Sequence, residues 1–144
     1  MKKFVALIPA RGGSKGIKNK NLVKINNKPI VDMAIDFAKE SKIFSKIILS
    51  SDKKTILNRG KNKNIVIHKR KKKLSSDKAL LSDTILNIKS TYDLKKNCIL
   101  IILEPTSPLR NMYDLKLAKK KIIKHKLDSY CTFAESFISP YRIW

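Results

Sequence analysis

Residues 3–9, KFVALIP, run directly into ARGGSKGIKNKNL at 10–22. A short apolar stretch with no helical period breaks into a basic, glycine-rich loop, the pattern of a buried parallel strand delivering a loop to one edge of a sheet. Similar runs recur at 46–51 (KIILSS), 65–68, 98–103 (CILIIL) and 129–133, which predicts five strands. Between them, apolar residues return at helical spacing. Ile30, Ala34, Phe37 and Ala38 share one stripe of 30–41; Leu81, Ile85 and Ile88 share one of 79–92; and Leu115, Ala118 and Ile122 share one of 112–125. A shorter helix is expected at 53–61, with Asp52 as its N-cap and Gly60 at its end. The alternation predicts an α/β fold, a three-layer, doubly wound, mainly parallel sheet. Ligands in such sheets bind beyond the carboxyl ends of the strands, so the loops after Pro9, Ser51 and Leu103 are where a site belongs.

The 144 residues suit one domain, and the formal net charge of +22 makes a polyanion the first partner to weigh. That charge is spread along the whole chain and is mostly lysine, beside abundant Ile and Asn, so it reflects general composition as much as a binding surface. Only five arginines occur, at 11, 59, 70, 110 and 142. In a lysine-biased chain they mark positions where a planar, bidentate fork is wanted. The most basic stretch, HKRKKKLSSDK at 68–78, reads as a solvated loop. Cys98 and Cys131 lie in apolar runs without CxxC spacing and are expected as buried, reduced thiols. The N-terminal apolar run is too short for a secretion signal and ends in Arg11, which predicts a cytoplasmic protein with no membrane partner.

In the first loop, Gly12, Gly13 and Gly16 allow successive backbone N–H groups to face an anion, while Arg11, Lys15, Lys18 and Lys20 add charge. The loop is neither a Walker A sequence nor GxGxxG, and a plain basic turn is the alternative. A second motif, LEPTSPLR at 103–110, ends the fourth apolar run. Its prolines set the exit path, Thr106 and Ser107 offer hydroxyls, and Arg110 can pair with a carboxylate or phosphate. It can also serve merely to turn the chain into the next helix.

IPARGGSKGIKNKN followed by EPTSPLR, with SSD after the second strand and SPYRIW at the end, resembles the acylneuraminate cytidylyltransferase family over essentially the whole chain. The resemblance implies a nucleotide-diphospho-sugar transferase-like (Rossmann-like) fold and a single cytidylyltransferase domain over 1–144. It implies CTP binding by Ala10, Arg11, Gly12, Gly13, Ser14, Lys15, Lys20 and Asn21, with Arg70, Asp77 and Ser82 near the nucleotide. Arg11, Lys15 and Lys20 are the implied catalytic cations. Glu104, Thr106, Ser107, Arg110 and Arg142 are the implied sugar-side residues, Glu104 standing where the family commonly has Gln.

The implied reaction joins CMP from CTP to the anomeric hydroxyl of an acidic nine-carbon sugar and releases pyrophosphate. Mg²⁺ is the implied cofactor, but the family's acidic DxD-like metal site and its dimerisation segment have no counterpart here. The chain is therefore expected to be incomplete at its C-terminus and its metal ligands are unassigned. Two alternatives stay open: a nucleotide-binding remnant without turnover, and a basic nucleic-acid-binding module. The second is disfavoured, because no RNA-binding or helix-turn-helix signature is present.

Overall fold

The structure is a computed structural model that describes residues 2–14, 16–95 and 97–133. The chain falls into two compact units, residues 1–110 and 111–144. The first is built on a four-stranded parallel sheet of β1 (Lys3–Pro9), β4 (Lys46–Ser51), β5 (Val66–Lys69) and β6 (Cys98–Ile102), in the order β5-β4-β1-β6. Helices α1 (Ile30–Glu40), α2 (Lys54–Asn62) and α3 (Leu81–Thr91) connect the strands.

Register explains the two cores. Ala6, Ile8 and Ala10 of the β1 segment and Leu49 of β4 point to one face, where they meet Val31, Ala34, Ile35 and Ala38 of α1 and Ile56 of α2. Val5, Leu7 and Ile48 point to the other face and pack against Ile88 of α3. Successive strand residues are thus buried on opposite sides, which is why these strands read as unbroken apolar runs. The chain first winds outward through β4 and β5, then returns past β1 to β6 on its far side. The strand order therefore reverses between β1 and β6, and the crevice of such a sheet lies at that point.

A two-stranded hairpin, β2 (Lys24–Ile25) and β3 (Lys28–Pro29), separates β1 from α1 and is an addition to the expected elements. Asn26 and Asn27 turn it with φ of 47° and 62°, left-handed values that Asn tolerates and a tight hairpin requires. In the second unit, α4 (Met112–Lys124) opens with Asn111, whose side chain accepts the Tyr113 N–H at 2.8 Å.

Several expectations are corrected. Residues 129–133 form no strand and are exposed, so Cys131 is an exposed thiol and Cys98 only half-buried. An apolar run forms a strand only when a neighbour satisfies its backbone, and among the described residues this one pairs with none. Asp52 does not cap α2. Lys53 occupies the N-cap position, and Ser51 Oγ accepts the Lys53 N–H at 3.1 Å. Gly60 lies in the last turn of α2, near its end as expected. A Cβ there would sit 2.9 Å from Leu49 Cδ2 and 3.1 Å from Ile67 Cγ2, so this glycine lets the helix approach the sheet. Among the described residues no helix is long and apolar enough to cross a membrane.

Candidate nucleotide site

The sheet ladder continues just past the strands. Ala10 N donates to Ser50 O at 2.9 Å, Arg70 N to Ser51 O at 2.8 Å, and Leu103 N to Leu7 O at 2.8 Å. Three loops consequently leave the sheet at one edge and enclose a cleft of about 250 Å³. Pro9, Arg11, Ser14, Lys20 and Asn21 come from the first loop, and Glu104, Pro105 and Thr106 from the loop after β6. The segment after β5 supplies Arg70, Ser76 and Asp77, with an apolar wall of Leu74, Ala79, Leu80 and Leu81. Charged groups and an apolar strip face one cavity, an arrangement suited to a ligand with an anionic end and a flat, weakly polar one.

The first loop is held from beneath. Asn21, buried, donates through Nδ2 to Arg11 O at 2.8 Å, and Gly12 N donates to Asp52 Oδ1 at 2.8 Å. None of the glycines has a positive φ. What Gly12 supplies is closeness, since a Cβ there would lie 1.8 Å from Lys53 Cγ, whereas Gly13 and Gly16 face open space. Lys53 is a neighbour of this loop that no sequence motif marks. Arg11 reaches across the cleft to Asp77, with Nη1 to Oδ1 at 3.1 Å, and also donates to Ser76 O at 3.3 Å. This pair is substantially exposed, so an incoming anion can compete for Arg11 at small cost.

Arg70 is different. It is only 8% exposed, and among the described residues no carboxylate lies within ion-pair distance of it. Its Nε donates to Ser50 Oγ at 3.2 Å and its Nη2 to Ser50 O at 3.2 Å. Burial holds its pKa below the usual guanidinium value; the Asp52 charge opposes that shift and Arg11 adds to it. A buried cation without a counter-charge is unfavourable by on the order of several kcal/mol, unless a ligand supplies the charge. Arg110 is likewise desolvated, which lowers its pKa, and Nη2 donates to Glu104 O. Glu104 lines the cleft and its carboxylate accepts from Thr106 Oγ1 at 3.5 Å.

Sequence reasoning also missed the support behind Arg70. Ser50 Oγ contacts His68 Nδ1 at 2.9 Å, and His68 Nε2 contacts Asn87 Oδ1 of α3 at 2.9 Å. Burial pushes the His68 pKa below 6.5, the Asn87 bond pulls it back, and Arg70 pushes it down again. A histidine kept neutral by the fold stabilises fully above the unfolded value near 6.5, and that contribution is lost as pH falls from there through the lower folded value. The melting temperature should therefore fall as pH drops below about 6.5, and more steeply in the native chain than in His68→Asn. Parallel melting curves for the two would contradict the assignment.

Of the anticipated residues, the cleft brings together Arg11, Ser14, Lys20, Asn21, Arg70, Asp77, Glu104 and Thr106. Ser82 lies exposed on α3, and Leu81 faces the cleft instead. Ser107 and Arg110 do not line the cleft, though Arg110 Nη2 donates to Glu104 O, and Ala10 is buried. Lys15 and Arg142 lie outside the described residues. Among the described residues no three His, Cys, Asp or Glu side chains form a metal cluster. Among the described residues, Asp52 Oδ1 accepts from Gly12 N and Asp77 Oδ1 from Arg11 Nη1.

A cytidylyltransferase family profile matches residues 5–136. The chain is 34% identical over 135 residues to an N-acylneuraminate cytidylyltransferase of Streptococcus agalactiae, covering 92% of this chain and 32% of that protein. It is 33% identical over 146 residues to the post-translational flagellin modification protein B of Campylobacter coli, covering 98% and 62%. Against a pseudaminic acid cytidylyltransferase of Campylobacter jejuni it is 34% identical over 130 residues, covering 86% and 55%. The chain thus spans between about a third and three fifths of the length of these relatives. In fold it is similar to a CMP:2-keto-3-deoxy-manno-octonic acid synthetase complexed with CTP. The TM-score there is 0.69 at 16% identity, covering 86% of this chain and 48% of the other.

Proposed function

The chain belongs to the cytidylyltransferase family, and from that premise we propose that it binds CTP in this cleft and transfers CMP to the anomeric hydroxyl of a sialic-acid-like nonulosonic acid. The observation that carries the proposal is Arg70, a buried guanidinium with no carboxylate at ion-pair distance among the described residues, lining a cleft that Arg11 and Lys20 enter from the opposite loop. The nucleotide's phosphates supply the missing negative charge, and the strip of Leu74, Ala79, Leu80 and Leu81 suits the face of the base. The relatives' names point to acidic sugars of the sialic and pseudaminic type as the acceptor.

In the proposed reaction the sugar's anomeric hydroxyl gives up its proton to water, its oxygen bonds to the α-phosphorus, the bond from that phosphorus to the bridging oxygen breaks, and pyrophosphate leaves with the electron pair. Such a step needs alignment of the two oxygens and fixed cations over the developing charge. Arg11, Lys20 and Arg70 all line the cleft, which supports assigning them the second task. The Glu104 carboxylate faces the same cleft and disfavours an unpaired sugar carboxylate beside it, so it selects for a sugar with a donor substituent there. We place the reaction in the cytoplasm, where CTP is made available.

The test is thermal unfolding with CTP, ATP, GTP and UTP, followed by pyrophosphate release with a panel of nonulosonic acids. At about 100 times Kd, CTP should stabilise by about 2.7 kcal/mol, and Arg11→Ala should abolish that shift. Equal response to all four nucleotides, or none, overturns the proposal. CTP-selective binding without pyrophosphate release supports a nucleotide-binding remnant instead.

A further inference from the structure

We infer that His68, acting through Ser50 and anchored by Asn87, is a positioning residue that holds the Arg70 fork in place for the nucleotide. The inference rests on the proposed role of Arg70 in CTP binding.

A consistent direction for the hydrogen-bond chain starts from its one unambiguous member. A guanidinium can only donate, so Ser50 Oγ accepts from Arg70 Nε at 3.2 Å. The Ser50 hydroxyl has a single proton, and His68 Nδ1 lies 2.9 Å away. Giving the proton there requires an unprotonated Nδ1, hence a neutral ring with its proton on Nε2. That proton then goes to Asn87 Oδ1 at 2.9 Å. Every bond is satisfied by one assignment of protons. Reversing the polarity leaves the hydroxyl proton without this acceptor.

Strand pairing brings these groups together. Ser50 and His68 are register partners on β4 and β5, and His68 meets Asn87 of α3 and Tyr92 at its end. Ser50 is fully buried and His68 is 4% exposed. The Tyr92 ring stands edge-on to His68 with centroids 6.1 Å apart, and its hydroxyl is committed to Ile67 O at 2.8 Å, so it does not compete for the imidazole.

Arg70 makes two bonds to Ser50, one to the hydroxyl and one to the carbonyl, and these fix the plane of the guanidinium. Its remaining N–H groups are left for a ligand in the cleft. Without an acceptor at position 68 the hydroxyl rotates, its lone pair is no longer held toward Nε, and the fork loses its orientation. A preorganised fork loses less freedom on binding, so the consequence falls on nucleotide affinity.

The experiment is a double-mutant cycle on the CTP dissociation constant at pH 7.5, using the full chain with His68→Leu, Arg70→Lys and the pair. His68→Leu should raise Kd about tenfold in the native background and leave it unchanged in the Arg70→Lys background, since a lysine has no fork to align. His68→Asn, which keeps an acceptor at the Nδ1 position, should restore most of the affinity. Imidazole ¹⁵N shifts, with His68→Asn identifying the resonances, should report the Nε2–H tautomer. An equal effect of His68→Leu in both backgrounds, no effect in either, or an Nδ1–H tautomer overturns the inference. Failure of the native chain to bind CTP overturns the nucleotide reading, and the tautomer then still decides the polarity of the chain.

Discussion

Arg70→Met should weaken CTP binding at least about 100-fold while leaving the unliganded protein as stable as before, or more so. The two halves have one cause. Arg70 is buried with no carboxylate within ion-pair distance among the described residues, and its desolvation already lowers its pKa. Methionine fills similar space and removes the penalty of an unpaired buried charge. Against that gain stands the loss of two bonds to Ser50, each worth about 1 kcal/mol in net terms. Stability and function therefore oppose each other at this residue, as they do where a site is organised for a ligand that is not yet bound. Calorimetric titration with CTP and a melting curve without it measure the two sides. A melting temperature lowered by more than about 5 °C would make Arg70 a structural residue and remove the main support for the nucleotide site.

The parts of the fold that are legible in the sequence are those where burial on both faces leaves a mark in every residue. After Lys3, strand β1 is apolar because α1 and α2 cover one side and α3 the other. The β2–β3 hairpin is invisible to the same reasoning, since two-residue strands have no period. Its only mark is the Asn26–Asn27 pair, which the left-handed turn explains afterwards. Residues 129–133 err in the opposite sense, being apolar enough for a strand but paired with no other described residue.

The site divides in the same way. Loops at the carboxyl ends of β1 and β6 are expected to converge because sheet topology alone puts them there, and they do. Arginine is more informative than lysine: Arg11 and Arg70 line the cleft, whereas most lysines carry no positional information in so basic a chain. The Ser50–His68 contact cannot be read from the sequence, since residues 18 apart become partners only through the register of two strands. Gly12 stands out in the sequence as a source of backbone freedom, but its value is different. It lets Lys53 pass close by, a contact between loops that no local pattern encodes.

Arg59→Leu should destabilise the protein by about 3 kcal/mol and lower its melting temperature by roughly 6–10 °C. Asp32 is 4% exposed in the first turn of α1, and its two carboxylate oxygens accept from Nε, at 2.9 Å, and Nη2 of Arg59 on α2. This bidentate pair joins two helices on the same face of the sheet, and the Asp32 bond raises the pKa of Arg59. Arg59 is itself 41% exposed, so its own loss is mild. The penalty comes from Asp32, which is left charged with little water around it. Removing both partners should then be less harmful than removing the arginine alone. Asp32→Ala combined with Arg59→Leu is expected to recover at least half of the lost stability. A double variant as unstable as the sum of the single ones would show that the pair acts through packing of its side-chain stems instead. CTP affinity should be unchanged in all three variants, because neither residue borders the cleft.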